Sequence, residues 1–128
     1  GDEKYKAESK RSLQAVIALA AAYIGRSDSL NKVLDAQLLA LNSSSGTKGE
    51  VLEKKVKETC DVFFKFCTIH YSKYPVRKSS KIAKFWKALS NHLELDELFE
   101  YNLKKINHTY QFLAIQHNEK SINQLSTR

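Results

Sequence analysis

The chain has 128 residues, 42% of them apolar and 27% charged, with a formal net charge of +7. That size suits one domain with a core that buries roughly two-thirds of the unfolded surface, without help from a metal or a disulfide. Four Gly and one Pro exclude collagen-like and Pro-rich classes and leave too few turn formers for an all-β fold. No apolar run reaches the roughly 18 residues that a membrane span needs.

Helical periodicity runs along the whole chain, and no segment alternates as a half-buried strand would. The first predicted helix covers 4–25 and ends at Gly25, a residue suited to a left-handed cap. Its stretch Leu13–Ile24 is apolar at every position except Gln14, the pattern of a helix buried all round. The basic flank and apolar run resemble a secretory signal, but Asp2, Glu3 and Glu8 dilute that flank. A central core helix is the expectation. The chain opens on Gly1-Asp2 without an initiator Met, as a segment excised from a longer protein would.

Ser27 or Asp28 would cap a second helix over 28–41, with Leu30, Val33, Leu34, Leu38 and Leu41 on one stripe. Residues 42–49 (NSSSGTKG) read as a loop. A third helix over 50–74 carries Val51, Leu52, Val56, Phe63, Phe64, Phe66, Cys67 and Ile69, and Pro75 stops it. A fourth, over 80–93, turns Ile82, Phe85, Trp86, Leu89 and Leu93 inward. The last spans 96–117, with Leu95, just before it, and Leu98, Phe99, Leu103, Ile106, Tyr110 and Leu113 on its apolar face, and 118–128 fray or extend it. The expected architecture is all-α: residues 1–128 as a single bundle of about five helices.

Cys60 and Cys67 lie seven apart in one predicted helix, about 10.5 Å of rise, which is too far for a bridge. Two thiols used as small apolar residues suit a reducing compartment. The sequons Asn42-Ser43-Ser44 and Asn107-His108-Thr109 point the other way, but seven Asn among eighteen Ser and Thr make such triplets common by chance. The expected location is intracellular, in nucleus or cytoplasm.

No constellation of catalytic residues stands out. There is no Gly-rich phosphate loop, nucleophile elbow or HExxH helix. Cys60, Cys67, His70, His92, His108 and His117 lack the close-paired spacing of a structural zinc site. The carboxylates Glu94, Asp96, Glu97 and Glu100 suit the start of the last helix, where negative charge favours the macrodipole. The expectation is no enzyme, no metal and no cofactor.

The distinctive feature is where the positive charge sits. Residues 62–93 hold Lys65, Lys73, Arg77, Lys78, Lys81, Lys84 and Lys87 and no acid, whereas the flanking segments nearly cancel. Tyr71, Tyr74 and Trp86 interleave with these bases. A Lys-rich solvent face that serves only solubility has the same appearance. As a site, Tyr71, Lys73, Tyr74, Arg77, Lys78, Lys81, Lys84, Trp86 and Lys87 would steer and anchor an acidic or amphipathic helical segment of another protein. Sequence-independent nucleic-acid binding is the alternative, and the scarcity of Arg argues against base-specific readout. A membrane-surface role fits less well, because the basic helix needs its apolar side for the core. Trp86 has two readings, a core residue of its helix or an anchor at the rim.

Overall fold

The computed structural model describes residues 2–72 and 80–126, apart from the side chains of Tyr5, Ser9, His70, Tyr71, Ser72, Ser80, Asn123, Gln124 and Ser126. Among these residues the fold is all-α, without a strand, and its four helices are α1 (Asp2–Asn42), α2 (Gly46–Ser72), α3 (Ser80–His92) and α4 (Leu95–Ser126).

One helix fewer forms than the sequence suggests, because α1 runs unbroken through Gly25. A Gly inside a helix costs about 1 kcal/mol relative to Ala. Here the buried stripe holds across the glycine: Ala20, Tyr23, Ser27, Leu30 and Leu34 are all buried, spaced three or four apart. Continuity of that face outweighs the local penalty. Ser27 consequently serves as an interior residue and not as a cap.

The apolar stretch of α1 is not buried all round. Val16, Ala20 and Tyr23 face inward, while Ile17, Ala18, Ala21 and Ala22 are exposed. Alanine has little surface to withdraw from water, so a run of it does not oblige a helix to enter the core. Val33, Val51, Phe64 and Ile69 are likewise exposed, on the outer sides of α1 and α2.

The first connection is shorter than expected. Residues Gly46 to Gly49 join α2, which starts at Gly46 with φ of 65°, and only 43–45 remain outside the helices. Between α3 and α4 the turn is Leu93 and Glu94, with Glu94 in the left-handed region at φ 54°. Leu93, expected inward as the end of a helix over 80–93, is exposed there because α3 stops at His92. The end of α4 extends through Ser126, beyond the expected 117.

Two apolar clusters hold the helices together. One joins Leu30, Leu34 and Leu41 of α1 to Val56, Cys60, Phe63 and Cys67 of α2 and Ile106 of α4. The other joins Val16, Ala20 and Tyr23 of α1 to Trp86 of α3 and Leu95 of α4. Phe66 touches both, and its ring stacks on Tyr23 at 5.3 Å.

A polar layer interrupts the first cluster. Asn31 Nδ2 donates to the Ser27 carbonyl and to Asn102 Oδ1, both at 3.0 Å. Asn102, fully buried, donates from Nδ2 to Ser27 Oγ at 3.2 Å. A buried amide that is matched at both ends fixes the axial alignment of the helices that carry it. Here it places 27 and 31 of α1 level with 102 of α4.

Candidate protein-interaction surface

Helix α3 is short and sharply two-sided. Ile82, Phe85 and Leu89 pack against the second cluster, and Trp86 lies in it. Their spacing of three and four residues puts them on one side. Lys81, Lys84 and Lys87 occupy the other side and are exposed, with Ala88 and Asn91 beside them. Core packing on one face thus fixes the direction in which the three ammonium groups project.

Ion pairs form elsewhere. Lys105 reaches Asp35 at 2.6 Å, Lys120 reaches Glu53 at 2.6 Å and Lys32 reaches Asp28 at 3.0 Å. Among the described residues, none of the α3 lysines forms an ion pair with a carboxylate, those at the start of α4 included.

Trp86 leaves the set of contact residues. It is 6% exposed and shares its cluster with Val16, Ala20, Tyr23 and Leu95, so its ring is spent on the core. Tyr71 has its backbone in α2, but its side chain lies outside the described residues, as do Lys73, Tyr74, Arg77 and Lys78. The described part of the site is Lys81, Lys84 and Lys87.

Two grooves escape sequence reasoning, because each needs side chains from two helices. One, of about 570 Å³, runs between α1 and α4 and is lined by Asp35, Leu38, Tyr101, Lys104, Lys105 and Phe112, among others. The other, of about 520 Å³, lies between α2 and α4 beside Glu53, Lys57, Tyr110 and Leu113. Both are open and mixed in charge.

The buried thiols are free. Burial, reinforced by the Asp61 charge, pushes the Cys60 thiol up to about 11. Burial also raises Cys67 to about 11, against a hydrogen bond to Asn102 that opposes the shift. Neither presents a thiolate nucleophile at neutral pH. Tyr110, which donates its hydroxyl to Asp61, is held well above the ordinary tyrosine range by burial and then by that carboxylate.

Among the described residues, no group of three His, Cys, Asp or Glu is placed to hold a metal ion, and no helix is long and apolar enough to cross a membrane. Comparison with protein-family models, curated proteins and solved structures found no match.

Proposed function

We propose that residues 1–128 form a single non-catalytic, intracellular protein-interaction domain, with the basic face of α3 as its contact. The observation that carries this reading is the row Lys81, Lys84 and Lys87, exposed and unpaired among the described residues on a helix whose other side is committed to the core. Steps of three residues along a helix are about 4.5 Å, so the row spans about 9 Å. An acidic or amphipathic helix lying across it presents carboxylates at comparable spacing. Exposed charge pairs are worth about 0.2–1 kcal/mol each, so binding is salt-sensitive and draws further affinity from an apolar side of the partner. Two buried, unbridged thiols support a reducing compartment, in nucleus or cytoplasm.

The test is affinity purification with mass spectrometry, comparing the native chain with a Lys81→Glu/Lys84→Glu/Lys87→Glu variant. The reading expects partners that are lost on charge reversal, and an unchanged partner set contradicts it. Sequence-independent nucleic-acid binding uses the same lysines. It predicts affinity for a random oligonucleotide at about 50 mM salt that falls steeply as salt rises. No binding at that salt removes this alternative.

A further inference from the structure

The outer side of α4 carries a line of residues that belong to neither core cluster, the first of them, Tyr101, having Lys105 of the same helix 6.0 Å from its ring centre. Tyr101, Ile115 and Ile122 are 57%, 58% and 63% exposed, and the exposed His108 falls between the first two. They recur every seven residues, a spacing that drifts only about 20° per repeat on a straight helix. The line therefore stays on one face over six turns. The last α4 residue with a described partner is Lys120, on Glu53. Beyond it the helix continues to Ser126 with Ile122 and Leu125 exposed. A helix end without packing is poorly supported by its own hydrogen bonds.

The charges on this face distinguish between the ways a second copy could lie against it. Lys104 lies in the first half of the line and Glu119 in the second, both exposed and neither in an ion pair among the described residues. A second α4 laid parallel sets Lys104 against Lys104 and Glu119 against Glu119. Laid antiparallel about the point between Gln111 and Phe112, it sets Lys104 level with Glu119. The same register sets Tyr101 level with Ile122 and His108 level with Ile115, each pairing occurring twice. One symmetry operation satisfies all three.

We infer that the chain self-associates as a two-fold dimer through antiparallel pairing of the outer faces of α4. Such an interface is isologous and closes on itself. The projecting end of each α4 lies along the Tyr101 end of the other copy, over the groove between α1 and α4. None of the α3 lysines takes part, so this inference and the proposed contact on α3 stand or fall separately. A single helix pair makes a small interface, and the dimer is accordingly weak.

The test is sedimentation equilibrium of the full chain from about 1 µM to about 500 µM, a range across which mass action exposes a weak dimer. The expected result is a mass that rises towards the dimer. Ile115→Glu weakens association at least tenfold, and since residue 115 is exposed the melting temperature stays near that of the native chain. Glu119→Lys also weakens association, and adding Lys104→Glu restores it. For orientation, oxidising a mixture of Tyr101→Cys and Ile122→Cys chains yields mainly the mixed cross-linked dimer. A monomer at every concentration overturns the inference. So does a dimer indifferent to Ile115→Glu, or cross-linking mainly between two Ile122→Cys chains.

Discussion

Truncating Asn102 to Ala tests the polar layer that aligns α1 with α4. The native amide is fully buried, accepts from Asn31 at 3.0 Å and donates to Ser27 Oγ at 3.2 Å. Losing a buried hydrogen bond and stranding its partner costs about 1–1.5 kcal/mol each time, and the space left behind adds about 1 kcal/mol. The expected loss is about 3–4 kcal/mol, a large share of the roughly 5–15 kcal/mol that holds an ordinary domain. For a chain of this length that lowers the melting temperature by about 10–15 °C. Urea unfolding followed by circular dichroism measures it, and a double-mutant cycle with Ser27→Ala isolates the pair. The two changes together should cost about 1 kcal/mol less than their sum. A loss below about 1 kcal/mol for Asn102→Ala, or strict additivity, refutes the reasoning.

Gly25→Ala should stabilise the chain by about 0.5–1 kcal/mol, because Gly25 lies inside α1 and an added Cβ meets nothing within 4 Å; a loss of stability in thermal unfolding contradicts a continuous α1. Trp86→Ala should cost about 3–5 kcal/mol, and the native fluorescence, from the only tryptophan, should be blue-shifted and poorly quenched by iodide; a red, freely quenched emission places the ring in solvent instead. Raising the pH should leave the thiol contribution intact up to about 9, where unfolded cysteines ionise, and remove it between 9 and 11, because Cys60 and Cys67 stay neutral in the fold until about 11. A Cys60→Ala/Cys67→Ala chain should therefore lose less urea resistance across that span than the native one, and equal losses reject the assignment.

The apolar face of α4 could be read in advance residue by residue, because Leu98, Phe99, Leu103, Ile106, Tyr110 and Leu113 are large and every one is buried or half-buried. The inward turn of Ile82, Phe85, Trp86 and Leu89 and the outward turn of Lys81, Lys84 and Lys87 followed from spacing for the same reason, whereas Leu93, expected inward, lies beyond the helix end and is exposed. What the sequence hid was competition between local and tertiary terms. Gly25, Ser27 and Asp28 spell a helix break by local chemistry, and only the packing of Tyr23, Ser27 and Leu30 on the other helices keeps α1 whole. Alanines of α1 looked internal because apolarity alone does not distinguish a residue that needs burial from one that tolerates water. Asn102 drew no reading from the sequence, since a polar residue among apolar neighbours reveals its role only once Ser27 and Asn31, more than seventy residues away, are brought beside it. Trp86 was legible as a core residue but not separable from a rim anchor, because depth depends on what packs from α1. Tyr101, His108, Ile115 and Ile122 repeat every seven residues in plain sight, yet their exposure appears only when the rest of α4 has chosen its inward face.

The most direct test of the α3 contact is a titration of the native chain and of the Lys81→Glu/Lys84→Glu/Lys87→Glu variant into a fluorescently labelled amphipathic peptide helix with a glutamate-rich face. Fluorescence anisotropy should show binding by the native chain that weakens as salt rises. The reversed variant, melting at the native temperature because its three changed residues are exposed, should bind at least tenfold more weakly. Equal affinity of the two chains for the peptide contradicts the account.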